Sequence, residues 1–210
     1  MGDRPDITVV GAGIIGCAVA YELGRRGADV RVIDRRNVGC GATQASAGVL
    51  APFIEADHPG PLRALGVRSL ELYDEFVADV VADSGDDVPY ERSGTLEVAT
   101  DETALSRLER ARQGLVPAGV DCRLLGRAEA REAEPHLGAP VLGALLVPSQ
   151  GFVGAVALTS ALCRAGTRHG VTFLTSRTVR RVSAGDGGIE VETTRGPVTS
   201  DAVVLAAGSW

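Results

Sequence analysis

ITVVGAGIIGCAVAYELGRRGADVRVID, residues 7–34, sets three spaced glycines between two apolar runs and closes on an acid. Ile7–Val10 is a short run suited to a buried strand of a parallel sheet. Gly11, Ala12 and Gly13 turn the chain, and a helix is expected from Ile14 to Arg26. Within it Ile15, Val19 and Leu23 recur every four residues, Glu22, Arg25 and Arg26 fall on the other side, and Gly27 offers a C-terminal stop. Val30–Ile33 supplies a second strand.

Strand, helix and parallel strand make a βαβ unit, and the glycines fall where such a unit meets a dinucleotide. Gly11 permits the tight turn, Gly13 lets the backbone approach a diphosphate, and Gly16 lets the helix lie close to the strand. Amides at the helix start face the anion. Asp34, about twenty residues beyond the glycines, is placed to accept hydrogen bonds from both hydroxyls of an adenosine ribose. The same carboxylate repels a 2′-phosphate, so NADP is disfavoured. A glycine turn without a ligand explains the glycines one by one but leaves the terminal acid unexplained.

At 210 residues the chain can bury a substantial core, and 45% hydrophobic against 23% charged residues places it among globular proteins. A net charge of −6 gives no electrostatic reason to bind nucleic acid or an anionic membrane. All 21 basic residues are arginine, which excludes a Walker lysine and a lysine Schiff base within these residues. Cys17, Cys40, Cys122 and Cys163 form no CxxC pair and stand far from His58, His136 and His169, so no metal site is expected. Sparse cysteines read as structural thiols in a reducing compartment, with cytoplasm the default. The opening MGDRPD carries acids and a proline where a secretory signal needs basic residues, and no stretch reaches the length of a membrane span.

Further along, Leu62, Leu65, Leu70, Leu72, Phe76, Val77 and Val80 predict a helical hairpin or one kinked helix over residues 61–82. Leu96 and Val98 alternate as in a strand, residues 102–115 predict an amphipathic helix, and residues 128–138 another that ends near Pro135. From Phe152 the pattern returns to α/β: a helix over 156–170, a strand over 171–174, a β-ribbon from residues 177–183 and 189–194 turning at Asp186, Gly187 and Gly188, and a buried strand in AVVLAAGSW that empties into a glycine loop. Arg92 could clamp a carboxylate but reads as a plain surface residue, while Tyr21, Tyr73 and Tyr90 read as packing. His136, beside Pro135, has no visible acid or nucleophile partner.

GCGATQASAGVLAP, residues 39–52, is built almost wholly of small residues, lacks an apolar period and directly follows the ribose acid, as suits a loop laid along an extended cofactor. Taken together, VVGAGIIGCAVAYEL, GATQASAGVLAP, LELYDEFVADV, PYERSGTLEVA, EAEPHL, GFVGAVALTSAL and DAVVLAAGSW resemble, in order along nearly the whole chain, the D-amino-acid oxidase family of FAD enzymes and within it the glycine oxidase branch of the thiamine-pathway type.

The resemblance implies an α/β fold: a GR2-type, Rossmann-like FAD-binding domain carried by residues 1–84 and 149–210, with a partial α+β substrate domain inserted at 85–148. By position it implies that Ile14 and Ile15 lie over the diphosphate, that Asp34 and Arg35 meet the adenosine, and that Ala42 and Thr43 line the cofactor. Ala47, Gly48 and Val49 would run beside the flavin ring, Val179 would set its backbone against the adenine, and Ala207 and Gly208 would close the pocket. There are departures: Gly154 and Ala155 replace an Asp-Pro pair, Arg177 replaces a threonine, and Ser46 occupies a place often taken by alanine, where its hydroxyl could meet the flavin or water.

The implied activity is oxidation of a small amino acid or amine, with dioxygen as acceptor and an α-keto acid, ammonia and hydrogen peroxide as products. A D-amino-acid dehydrogenase using an acceptor other than oxygen and a nucleotide-binding module without catalysis stay open, as does a homo-oligomer. Relatives continue for more than a hundred residues beyond the position of Trp210, so the chain reads as an N-terminal fragment. The remainder would bring the arginine and tyrosine that hold the substrate carboxylate, and no catalytic residue is assigned among residues 1–210.

Overall fold

The computed structural model describes residues 4–55, 60–185 and 187–209. His58, Asp186 and Trp210, singled out above, lie outside the described residues. In chain order the elements are β1 (Ile7–Val10), α1 (Ile14–Arg25), β2 (Val30–Ile33), α2 (Ala42–Ala45), β3 (Val49–Leu50), α3 (Pro52–Glu55), α4 (Pro61–Ser84), β4 (Tyr90–Glu91), β5 (Thr95–Ala99), α5 (Glu102–Leu115), β6 (Arg123–Gly126), α6 (Arg127–Ala133), β7 (Gly143–Val147), β8 (Gly151–Val153), α7 (Ala155–Arg168), β9 (Thr172–Leu174), β10 (Val179–Gly185), β11 (Gly188–Thr193), β12 (Val198–Ser200) and β13 (Ala202–Leu205). The chain divides into two compact units, residues 1–48, 75–89 and 154–210 in one and residues 49–74 and 90–153 in the other. The sequence reading set its boundaries at 84/85 and 148/149 instead.

The first unit is built on a parallel sheet ordered β13-β1-β2-β9. Val10, Ile33, Leu174 and Val203 share one face and pack against Val191 and Val198 of the antiparallel β10-β11-β12 sheet. On the other face Val9, Val30 and Val32 are buried at 0%, 0% and 1% exposure, beneath α1 and α7. Strands covered on both faces need apolar residues at successive positions, which is why Val30–Ile33 reads as a nearly continuous run.

The periodicity of α1 points to the wrong stripe. Its buried residues are Gly16, Cys17, Ala20, Tyr21 and Gly24, whereas Ile15 is 67% exposed. Small residues let α1 and α7 approach closely, and that contact outweighs the larger aliphatics; α7 answers with Leu158, Ala161, Leu162 and Ala165. Gly27 follows the helix at φ 90°, the left-handed stop expected of it. Residues 39–52 are less plainly a loop than expected, since they hold α2 and β3, and residues 61–84 form one helix. Among the described residues β13 stands at the end of the strand order, paired with β1.

A polar cluster ties α1, α4 and α7 within this unit. Tyr21, buried in α1, donates its hydroxyl to Asp83 at 2.7 Å, and His169 Nε2 lies 2.8 Å from the same carboxylate oxygen. Arg25 donates to Asp79 at 2.8 Å, and Arg168 donates to the Asp83 carbonyl oxygen at 2.6 Å.

In the second unit β7 is central, paired antiparallel with β5 and β6, and β8 lies between β3 and β4. Leu108 and Leu115 of α5 pack on Ala99, Leu145 and Val147. The helix matches its predicted range and is capped by Asp101, whose side chain accepts from the Ala104 amide at 2.8 Å. Two polar side chains bind the strand ends. Gln150, fully buried, accepts from the Phe53 amide at 3.1 Å and donates to Thr95 Oγ1 at 2.6 Å. Arg92 donates to the carbonyl oxygens of Leu70 and Ser149 at 2.5 and 2.8 Å, and to the Tyr90 hydroxyl at 2.6 Å, and it pairs with Asp74. Its guanidinium is a structural tie, which leaves no carboxylate clamp there.

Hydrogen bonds from His169 and Tyr21 hold the Asp83 carboxyl below the usual carboxylate range. A depressed folded-state pKa contributes stability above the unfolded value of about 4, and that contribution is lost as pH falls through the folded pKa. Asp83→Asn should therefore lower the melting temperature at pH 7, with the gap to wild type closing below about pH 4 as the carboxylate protonates. Thermal melts from pH 3 to 7 check this; a gap independent of pH would show that the carboxylate charge carries nothing.

Candidate functional site

At the carboxyl ends of the parallel strands of the first unit, three chain turns converge. The Gly11 amide donates to the Ile33 carbonyl and the Ala206 amide to the Val10 carbonyl, both at 2.8 Å. Gly11 sits at φ 109°, and a Cβ there would overlap the Ala206 carbonyl oxygen. A Cβ at Gly16 would overlap the Gly11 carbonyl oxygen. Gly13, at φ −76°, is under no such backbone demand, but a Cβ there would stand 3.2 Å from Thr43 Oγ1 and fill the space above the helix end. Gly11 and Gly16 are the positions where only glycine allows the contact.

A cavity of about 500 Å³ opens over this convergence. Gly11, Gly13, Ile14 and Ile15 line it from the turn and first helical residues, and Asp34 and Arg35 from the end of β2. Ala42 and Thr43 of α2, Val179 of β10, and Ala207 and Gly208 beyond β13 complete the expected set that the cavity gathers. Gly16 is packed behind the turn and is not in the lining. Ala47 and Gly48 follow Ser46, which does line the cavity, and Val49 belongs to the second unit, where it pairs with Phe152. The Ser46 hydroxyl accepts from the Gly48 amide at 3.1 Å.

The lining also contains residues that the sequence did not assign: Val10, Ile33, Arg36, Cys40, Arg177, Thr178 and Ala206. Arg36 could have been found from its place beside Arg35. Arg177 had a weaker signal, its departure from the family pattern. The segment around it follows β9, which pairs with β2, and the Arg177 amide donates to the Asp34 carbonyl at 2.9 Å, a contact across 143 residues with no trace in local sequence.

The site's electrostatics suit an anionic ligand with a sugar. The N-terminus of α1 has no side-chain cap from Gly13 and no acid in its first turn, so the positive end of the helix dipole is not neutralised from within. Thr43 Oγ1 accepts from the Ile14 amide at 3.0 Å and sets a hydroxyl beside that helix end. Asp34 accepts from the Ala12 amide at 2.8 Å through Oδ2 and from the Arg36 amide at 2.7 Å through Oδ1. Each carboxylate oxygen keeps a second lone pair, so Asp34 is a fixed acceptor able to take two more donors, as vicinal ribose hydroxyls require. The residues present therefore fit a dinucleotide with a diphosphate linker. Cys17, behind the turn, has its thiol pushed up to about 12 by burial, then by the neighbouring Cys163 and Asp34, which keeps it protonated and unreactive. Among the described residues no group of three or more His, Cys, Asp or Glu could hold a metal, and no helix is long and apolar enough to cross a membrane.

A parallel sheet with a glycine turn against its strand ends and an acid closing the second strand defines a dinucleotide-binding fold of the Rossmann-like class. The FAD dependent oxidoreductase family profile matches residues 6–210, and the chain belongs to that family of flavoproteins, whose cofactor is FAD. It is 31% identical to glycine oxidase of Geobacillus kaustophilus over 211 residues, covering 100% of this chain and 56% of that protein. The crystal structure of glycine oxidase from Geobacillus kaustophilus superposes with a TM-score of 0.95 at 30% identity, over 99% of this chain and 56% of that one. Glycerol 3-phosphate dehydrogenase of Caloramator mitchellensis is 27% identical over 98% of this chain and 42% of its own length. The chain thus spans about half the length of the curated relatives it matches.

Gly11→Ala and Gly13→Ala should separate folding from binding. The first imposes a Cβ on a left-handed backbone against the Ala206 carbonyl and should cost roughly 1–3 kcal/mol or more of stability. The second is compatible with its backbone and should melt within a few degrees of wild type, while losing FAD affinity tenfold or more, equal to about 1.4 kcal/mol. Differential scanning fluorimetry and flavin fluorescence titration read the two effects; unchanged FAD affinity in Gly13→Ala would remove the turn from the binding site.

Proposed function

We propose that the protein carries out FAD-dependent oxidative deamination of glycine or another small amino acid or amine, giving an α-keto acid (glyoxylate from glycine), ammonia and hydrogen peroxide. The observation that best supports this reading is a likeness to glycine oxidase that runs through the whole chain and includes the cavity at the strand ends. In this reading Ile14, Ile15 and the open face of Gly13 lie over the diphosphate, Asp34 takes the ribose hydroxyls, and Arg35 meets the adenosine. Val179 offers its main chain to the adenine, and Ala42 and Thr43 flank the linker. Ala47, Gly48 and Val49 run beside the flavin ring, and Ala207 and Gly208 close the pocket.

When bound, FAD supplies a two-electron acceptor for the hydrogen on the carbon that bears the amine. The protein's task is to hold and shield that encounter. None of the side chains in these residues is assigned as acid or base. With FAD held there, the overall change would balance as amino acid, water and dioxygen giving keto acid, ammonia and hydrogen peroxide. A cytoplasmic setting agrees with four cysteines present as free thiols.

A second reading, a dehydrogenase with an acceptor other than oxygen, draws on the likeness to the Caloramator glycerol 3-phosphate dehydrogenase. Protein expressed from its complete reading frame and purified with flavin decides between them. Glycine in air should yield peroxide and ammonia in equal amounts, and sarcosine peroxide and methylamine in equal amounts. Bleaching of the flavin band without peroxide would establish the dehydrogenase. Absence of bleaching with every small amino acid, amine and glycerol 3-phosphate would leave a nucleotide-binding module.

A further inference from the structure

Arg177 is held in place by its backbone. Ser176 adopts a left-handed φ of 55°, uncommon for a residue with a side chain, and turns the chain so that the Arg177 amide reaches the Asp34 carbonyl at 2.9 Å. One residue on, the Thr178 amide donates to Thr194 Oγ1 at 3.1 Å and its carbonyl accepts from the Thr194 amide at 3.0 Å. β10 then begins at Val179. A side chain on backbone anchored at consecutive residues has a defined origin, unlike one on a free loop.

That side chain is half-buried and bounds two spaces at once. It lines the cofactor cavity, and it also lines a second recess of about 250 Å³ whose other walls are Asp29, Arg31, Thr172 and Leu174. Both spaces belong to the first unit. Arg177 is the residue common to the two linings and borders both spaces. The tie of its amide to Asp34 sets it beside the carboxylate read as the ribose acceptor. A guanidinium is planar, permanently charged and rich in donors, and it stacks on and hydrogen-bonds to aromatic rings.

We propose that Arg177 is the specificity-determining wall of the adenine end, contacting the base and closing the cavity off from the neighbouring recess so that an unsubstituted adenine fits and a bulkier base does not. The inference rests on the dinucleotide reading of the cavity. Truncating the side chain should do two things that a merely structural arginine would not: weaken the adenosine half alone, and join the two spaces so that an enlarged base is accommodated.

ADP titrated calorimetrically into wild type, Arg177→Ala and Arg177→Lys is the test, alongside ADP analogues bearing a benzyl-sized group at C2, N6 or C8 of the base. The expected result is a five- to tenfold loss of ADP affinity in Arg177→Ala, with at least one analogue that wild type rejects tenfold now binding as well as ADP. Arg177→Lys, which keeps length and charge but not the plane, should keep the rejection of bulk while binding ADP more weakly. FMN, which lacks adenosine, should bind all three proteins equally. Wild-type ADP affinity in Arg177→Ala, or an unchanged ranking of analogues, overturns the proposal. Should Arg177→Ala fail to fold, Arg177→Thr decides by the same criteria. Wild type that takes up neither ADP nor FAD would instead overturn the cofactor reading, and this inference with it.

Discussion

The contact on which the site depends is the one between the Gly11 turn and the backbone that leaves β13. Gly11 lies so close to the Ala206 carbonyl, and Gly16 so close to the Gly11 carbonyl, that neither tolerates a Cβ. That double approach brings the start of α1 down onto the ends of the parallel strands. Asp34 then reaches across to the Ala12 amide, so the acid and the turn form one rigid piece. Preorganisation of this kind means that a ligand meets acceptors and amides already oriented, and ordering them costs it little.

Much of this was legible in the sequence, and the reason is locality. β1 and β2 fall at their predicted residues because a strand buried on both faces leaves a continuous apolar signature. α5 matches residue for residue because an exposed amphipathic helix with an aspartate cap carries both its period and its start in the chain. The misreading of α1 has an opposite cause. The buried stripe of α1 is composed of Cys17, Ala20 and Gly24, and hydrophobicity counts small residues as weak when their value lies in how near they let α7 come.

The site divides along the same line. Glycines and a terminal acid announce the turn and the strand-end carboxylate because their spacing is set by one βαβ unit. The far wall is different: Arg177 and Thr178 arrive from a segment 143 residues beyond Asp34, steered by a left-handed serine that no propensity scale anticipates. A sequence can state which backbone conformations are easy, and Ser176 is a place where tertiary bonds impose a hard one.

The second unit shows how polar groups can brace a structure without belonging to its chemistry. Gln150 joins the Phe53 amide to the Thr95 hydroxyl, and Arg92 joins the carbonyl oxygens of Leu70 and Ser149. A buried or half-buried polar residue is the usual first candidate for a catalytic role, and here the hydrogen bonds account for it. His169 follows the same logic, since its ring is matched to Asp83 on the helical side of the first unit. With Arg92 and His169 accounted for by structural bonds and Cys17 held protonated, the chemistry assigned to these residues is recognition of a cofactor by main-chain amides, glycine turns and one carboxylate. That division follows from physics: a hydride acceptor brought in from outside needs from its host a fixed position and a dry surround, and both come from backbone geometry more readily than from reactive side chains.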